Sequence, residues 1–337
     1  MFHTLLSKLF SRKFLFINVG VFALLACVMA GLIVFGGPGV PDAMPSINKP
    51  FNSVDFSSLP ALGTYTARDG AKLAFRQYPT SVDKKGSIVL VHGSSASSES
   101  MHVMAQAFAA DGYATYALDM RGHGASGDKG QIAYIGQLED DVEDFLAGVS
   151  VAQPRTLLGF SSGAGFVLRV AGSVRQAEFN HYLLISPFLS HTAPTYRPNS
   201  GGWVKVGIPR IVGLSILNSA GITAFNHLTV TQFALNERAK QQLTPSYSFA
   251  MLANFRPQDD YRQNIRDIKQ TTAVLIGSAD ELFQADQFPP VFAAENPKIP
   301  VKLVPNVGHI GMTLDAQAVA ESVAAVNGLN LKPIQTN

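Results

Sequence analysis

The chain has 337 residues, 47% of them hydrophobic and 15% charged, which is apolar for a soluble domain and long enough for one large folded unit or two small ones. Its 26 Lys and Arg against 24 Asp and Glu give a formal net charge of +2, and no helical stretch carries a Lys/Arg stripe, so nothing speaks for a nucleic-acid partner. Cys27 is the single cysteine, which excludes an intramolecular disulfide framework.

Part of the apolar excess is local. Phe14 to Phe35 is an uncharged run with Asn18 as its one clearly polar residue, and at about 1.5 Å per residue it spans a bilayer core. Lys8, Arg12 and Lys13 precede it. This bias predicts a cytoplasmic N-terminus over 1–13, a transmembrane anchor over 14–36 and a folded domain outside the cytoplasm. A cleaved signal peptide is the first alternative, with Val28-Met29-Ala30 at the cut and a secreted or periplasmic product. A lipoprotein signal is the second, since Leu24-Leu25-Ala26-Cys27 resembles a lipobox with Cys27 as the acceptor. The run continues through Leu32, Ile33, Val34 and Phe35, past a signal core of about 7–15 residues, which favours the anchor. Residues 37–60 hold Pro38, Pro41, Pro45, Pro50 and Pro60 without apolar periodicity and read as a Pro/Gly-rich tether.

The folded domain is expected over 61–330. Thr64 to Ala67 and Lys72 to Gln77 flank Asp69-Gly70, a hairpin signal. Strands and helices then alternate, which predicts an α/β domain with a mostly parallel sheet covered on both faces. Strand Ser87 to Val91 precedes helix Glu99 to Ala110, and strand Tyr113 to Leu118 precedes helix Gln137 to Gly148. Strand Thr156 to Phe160 leads into a helix through Val167, Leu168 and Val170; His181 to Ile185, Ala273 to Ile276 and Val301 to Val304 are further strands, with Ala316 to Val326 the last helix. Between Pro187 and Asp267 the alternation fails for about 80 residues, too many for a bare loop, and an inserted cap is expected at about 188–267. Within it Ile208, Val212 and Ile216 repeat at i+4 after Pro209, near Trp203. This stripe is expected to pack the cap onto the sheet, the alternative being an acyl-binding or membrane-touching face.

Gly159-Phe160-Ser161-Ser162-Gly163 follows a strand and opens a helix, the setting in which two glycines permit a sharp turn that exposes a serine. A serine hydroxyl attacks poorly until an imidazole takes its proton, and that imidazole needs a carboxylate to hold its tautomer. Asp280 follows the strand Ala273 to Ile276, with Glu281, Asp259 and Asp260 as rivals, and His309 is the only histidine after it. Ser161, His309 and Asp280 are therefore the candidate nucleophile, base and orienting acid. An oxyanion formed by attack needs backbone amides, one from Ser162 after the nucleophile and one from the His92-Gly93-Ser94-Ser95 loop, with Ser94 the expected donor. His92 is expected to shape that loop. Asp119 and Arg121, in the polar segment Asp119 to Ser126, are expected to lock it by ion pairs and hydrogen bonds. Scattered histidines and the lack of a Gly-x-x-x-x-Gly-Lys loop imply no metal and no nucleotide cofactor.

Together the His92 loop, Asp119 to Ser126, the Ser161 elbow, Asp280 and His309 resemble the monoacylglycerol lipase and lysophospholipase group of α/β-hydrolases, also labelled serine aminopeptidase S33-like, over roughly residues 62 to 328. The resemblance implies an α/β-hydrolase fold with an eight-stranded sheet, a cap over the pocket, hydrolysis of carboxylic esters with one acyl chain and no cofactor. Many members carry His before the nucleophile and a longer glycine run after it, where this chain has Phe160 and Ala164. The expected partners are a small or lipid-derived ester and, through the N-terminal segment, a membrane. Amide or peptide cleavage and acyl transfer on the same fold are alternatives, as is a catalytically silent binding protein. An aminopeptidase needs a carboxylate to grip the substrate amine, and from Ser190 to Gln241 the chain holds only Glu237 as an acid, which favours esters.

Overall fold

The computed structural model describes residues 2–331 apart from 43, 45–48, 81–83 and 199–201, with side chains from residue 18 onward except that of Lys49. Pro45 and the side chains of Lys8, Arg12, Lys13 and Phe14 lie outside the described residues. A long helix α1 (Phe2–Phe35) leads to the hairpin β1 (Leu62–Thr66) and β2 (Lys72–Tyr78), whose turn places Gly70 at φ 85°. Alternation follows as expected: β3 (Gly86–Val91), α2 (His102–Ala110), β4 (Tyr113–Leu118), α3 (Gln137–Gly148), β5 (Arg155–Phe160), α4 (Ser162–Ala171) and β6 (His181–Ile185). Residues 99–101, expected to open α2, belong instead to a separate 3-10 turn over Ser98–Met101.

The segment after β6 holds β7 (Val204–Val206), α5 (Ile208–Ser219), β8 (Thr229–Phe233), α6 (Glu237–Gln242), β9 (Ser246–Ser248), α7 (Phe249–Asn254) and α8 (Tyr261–Asp267). The core resumes with β10 (Thr271–Gly277), α9 (Phe288–Glu295), β11 (Val301–Val304), α10 (Gly311–Leu314) and α11 (Ala316–Asn330). Eight strands form one sheet in the order β1-β2-β4-β3-β5-β6-β10-β11, and among them β2 alone runs against the rest. The strands β7, β8 and β9 make a small antiparallel sheet of their own, which the failed alternation had not revealed.

Strands β3 and β6 are buried along their whole length because helices cover both faces. Phe145 of α3, Phe166 and Leu168 of α4, Ile265 of α8 and Phe292 of α9 pack on one face, and Met104 and Phe108 of α2 with Ala318 and Val326 of α11 on the other. Parallel β5, β10 and β11 thus end at the same rim, where the loops carrying Ser161, Asp280 and His309 begin.

The stripe on α5 departs from expectation. Ile208, Val212 and Ile216 are 56%, 46% and 49% exposed and do not pack on the sheet. Leu214 is buried instead, in a cluster with Ile33, Val230 and Phe249, and Gly213 faces α1. Spacing of i+4 marks a face of a helix but not its partner, and the absence of a side chain at Gly213 lets α1 approach one step round the helix from that stripe.

The hairpin is joined to the domain by aromatic rings. Phe145 lies 5.3 Å from both Tyr65 and Phe75 and 5.7 Å from Tyr116, edge-on in each case. Phe145→Ala should lower the unfolding free energy by about 3–5 kcal/mol, read from urea midpoints of the full chain in detergent. A change below about 1 kcal/mol would mean that the cluster does not hold the hairpin.

Candidate active site

Ser161 stands between β5 and α4 with φ 56° and ψ −121°, a conformation that a non-glycine residue rarely adopts. Its amide donates to the Ile185 carbonyl at 2.9 Å, and its carbonyl accepts the Gly165 and Phe188 amides at 3.0 and 3.1 Å. Gly159 and Gly163 make the turn possible by close approach. A Cβ at Gly159 would lie 2.4 Å from the Gly163 carbonyl oxygen, and one at Gly163 would lie 2.2 Å from that of His92.

Three side chains distant in sequence meet here. The Ser161 Oγ is 3.0 Å from His309 Nε2, and His309 Nδ1 is 2.7 Å from Asp280 Oδ2. The other oxygen of Asp280 accepts the Leu282 and Phe283 amides, each at 2.9 Å. Burial by itself would raise the Asp280 carboxyl, but the His309 charge and hydrogen bond, with the Phe283 and Leu282 amides, outweigh it and hold the group below the ordinary carboxylate value. An ionised Asp280 accepts the hydrogen bond of an Nδ1–H and so keeps the proton on that nitrogen, which leaves the Nε2 lone pair for Ser161. Phe160 and Phe283 flank the imidazole at ring distances of 4.8 and 5.1 Å.

The rivals of Asp280 are occupied elsewhere. Glu281 accepts the backbone amide of His309 at 2.8 Å and so positions the histidine rather than its ring. Asp259 pairs with Arg256, and Asp260 caps α8.

Ser94 and Ser162 come together beside Ser161, their hydroxyls 2.5 Å apart. Neither backbone amide donates to another group among the described residues, and the Ser162 amide belongs to the N-terminus of α4, which favours negative charge. The arrangement can accept a hydroxyl proton, orient the acceptor and offer two amides to an anion.

Supports come from two directions. Asp119 accepts the Ser98 amide at 2.7 Å and the Ala125 amide at 2.9 Å, tying the loop after β3 to that after β4. Arg121 turns away from it, gripping Asp141 through two hydrogen bonds of 2.8 and 2.7 Å and reaching Asp69 of the hairpin turn at 2.9 Å. From the inserted segment, the Tyr247 hydroxyl accepts the Ser95 amide at 2.7 Å and meets His123 Nε2 at 2.6 Å, while the Thr244 carbonyl accepts the Ser95 hydroxyl. Tyr247 and Thr244 carry no motif, and sequence reading missed them.

The cavity beside Ser161 measures about 1010 Å³. Pro50, Phe51 and Phe56, from the stretch read as a tether, line it together with Trp203 and Leu282. Phe56 also stacks near His102 at 5.7 Å, and the Met44 amide donates to the Ala234 carbonyl at 2.9 Å, so the stretch touches both the inserted segment and the core.

With this geometry, comparison with known proteins places the chain. Residues 82–309 match the family described as serine aminopeptidase, S33, and the chain belongs to that family, with the α/β-hydrolase fold. A monoacylglycerol lipase of Mycolicibacterium smegmatis is 35% identical over 124 residues, which cover 35% of this chain and 43% of that relative, less than half its length. Among solved structures, a soluble variant of monoglyceride lipase from Saccharomyces cerevisiae in complex with a substrate analogue superposes with a TM-score of 0.62 at 16% identity, over 82% of this chain and 97% of the other. A membrane phospholipase A, described as a bacterial virulence factor, superposes with a TM-score of 0.57 at 16% identity over 95% of this chain and all of the other. At such identities these two likenesses speak for the fold.

His92 and His123 are wholly buried, and burial, first of all, holds both below the ordinary imidazole value. Unfolded, they titrate near about 6.5, so below that pH the unfolded chain binds more protons. Stability should be level above it and fall as the pH drops towards the lowered folded values. Urea midpoints from about pH 8 to about pH 5 check this, and His123→Gln should make the decline shallower. Gly163→Ala, in turn, should cut activity at least about tenfold by displacing the start of α4 from the His92 carbonyl; an unchanged rate would show that the turn has slack.

Proposed function

We propose that this protein is a serine hydrolase of carboxylic esters, with a monoacylglycerol- or lysophospholipid-like substrate and an acyl-enzyme intermediate. The hydrogen-bonded series Ser161, His309, Asp280 at the wall of a large, mostly apolar-lined cavity carries this reading. Ser161 Oγ attacks the ester carbonyl while His309 Nε2 takes its proton; the carbonyl oxygen, now an anion, is held by the Ser94 and Ser162 amides. Collapse expels the alcohol, which receives the proton from His309, and leaves Ser161 acylated. Water then attacks by the same route, giving a fatty acid and the free serine. Asp280 keeps the imidazole oriented throughout.

The likeness to a monoacylglycerol lipase supports the substrate class, and the cavity has room for one acyl chain. The family description favours a second reading, cleavage of an aminoacyl amide. It requires a carboxylate for the substrate amine. Of the acids lining the cavity, Asp119 and Glu281 are committed to backbone amides, which leaves the exposed Glu99. Esters therefore remain the stronger reading.

Among the described residues one helix, Asn18–Phe35, is long and apolar enough to cross a membrane, and a signal sequence near an N-terminus passes the same test. A retained anchor is supported by its contacts with the folded domain: Arg210 donates to the Ile33 and Val34 carbonyls at 2.6 and 3.0 Å. The catalytic domain then stands on the extracytoplasmic side.

Ser161→Ala should lower turnover of a short p-nitrophenyl ester by roughly 10⁴ to 10⁶. Asp280→Asn should cost about 10⁴ in turnover by favouring the wrong tautomer. An unchanged rate in the serine variant removes the proposal. A panel of monoacylglycerols, lysophospholipids and aminoacyl amides assigns the substrate class, with faster turnover of the amides favouring the second reading.

A further inference from the structure

Helix α5 exposes an apolar row where a water-facing helix would carry charge. Ile208, Val212 and Ile216 stand about half exposed along one face, and the segments entering and leaving the helix expose Val204, Val206, Ile222 and Phe225. Residues advance by about 100° around a helix. Leu214 therefore points into the protein, Gly213 stands one step round from it towards α1, and the row through Val212 lies one step further, beside α1 and away from the core.

The two helices are firmly joined. A Cβ at Gly213 would come within 3.1 Å of Ile33, 3.3 Å of Leu32 and 3.5 Å of the Met29 sulfur. Arg210 spans the joint, its Nε and Nη2 donating to the last carbonyls of α1 and its Nη1 to the Thr229 carbonyl at 2.7 Å, while its amide donates to the Gly36 carbonyl at 3.2 Å. Those contacts satisfy carbonyls that a helix end would otherwise leave open. They also fix the depth of α5. A hydrocarbon core of about 30 Å takes about 20 helical residues, and the apolar run ends at Phe35. A span that uses this run holds Met29, Leu32 and Ile33 within the core or at its rim, and α5 is bound to these residues at the same level.

We propose that α5 is a second membrane element, lying in the bilayer interface where α1 emerges, with Ile208, Val212 and Ile216 among the lipid acyl chains. The proposal rests on the anchor reading and commits to lipid as the occupant of the row. Continuity with exposed α1 residues such as Leu25 and Val28 argues for it, and Arg210 can keep its charge at the polar boundary while its stem stays in apolar surroundings. It also keeps the cavity near the membrane, because Trp203, on the cavity wall, immediately precedes β7 and α5.

The test uses the full chain carrying Cys27→Ser, reconstituted in vesicles of phosphatidylethanolamine and phosphatidylglycerol. Single cysteines introduced by Val28→Cys, Val212→Cys, Ile216→Cys or Val174→Cys each carry an environment-sensitive NBD fluorophore. Val174 is 97% exposed, at the end of the sheet away from Ser161, and serves as the water reference. Labels at 28, 212 and 216 should show blue-shifted emission that lipids brominated on their acyl chains quench, and the label at 174 neither. Water-like emission at 212 and 216 with a quenched label at 28 overturns the proposal and leaves the anchor intact. Water-like emission at 28 removes the anchor reading and this proposal with it. Blue-shifted emission at 212 and 216 that brominated lipid does not quench, and that fades on dilution of protein in lipid, means that a second copy of the chain covers the row and also overturns it.

Discussion

The backbone of Ser161, held at φ 56°, is the constraint from which the site follows. A serine in that region carries strain of about 1–3 kcal/mol, which persists only where neighbours leave no other conformation. Here the Ile185 carbonyl, the Gly165 and Phe188 amides and the bare Cα atoms of Gly159 and Gly163 all fit that one turn. The turn lifts the hydroxyl out of β5 and points the first amide of α4 beside it. The proposed nucleophile and the proposed anion donor are thus set by the same few bonds.

The remaining parts arrive by strand pairing. Because β10 and β11 are adjacent and parallel, the loops that leave them run side by side, and the Ala279 amide donates to the Val307 carbonyl at 3.1 Å. Asp280 and His309 are therefore close before their side chains interact. Glu281, next to the acid, then fixes the backbone of His309, so two adjacent carboxylates divide the work between the ring and the main chain. On the other side of Ser161, Asp119 and Tyr247 hold the loop that bears Ser94, one from the core and one from the inserted segment. Displacement of that segment would reach the Ser94 loop through Ser95.

The N-terminal region joins this arrangement instead of trailing from it. Helix α1 is clasped by Arg210, Met44 is bonded to Ala234, and Phe51 and Phe56 close part of the cavity wall. A segment whose composition suits a flexible spacer is thus drawn into contact at several points, because some of its apolar side chains find a cavity edge to cover. On the proposed anchor reading, location at a membrane and the shape of the cavity become properties of one connected stretch of chain.

By itself the sequence determined the alternation of elements, the elbow at Ser161 and the order of serine, acid and histidine, because each depends on short-range patterns: apolar runs, glycine pairs and residues that end strands. It also marked Asp280 above Glu281 and Asp260, although only the 2.7 Å contact to His309 separates these carboxylates. Tertiary structure decided the rest. The packing of α5 against α1 through Gly213 rather than through its apolar stripe, the small sheet β7-β8-β9, the roles of Tyr247 and Thr244 as props, and the use of Phe51 and Phe56 as cavity wall all depend on contacts between residues far apart in sequence. Periodicity states that a face is apolar, and glycine that an approach is possible. Which surface comes to meet them is fixed only when the whole chain is folded.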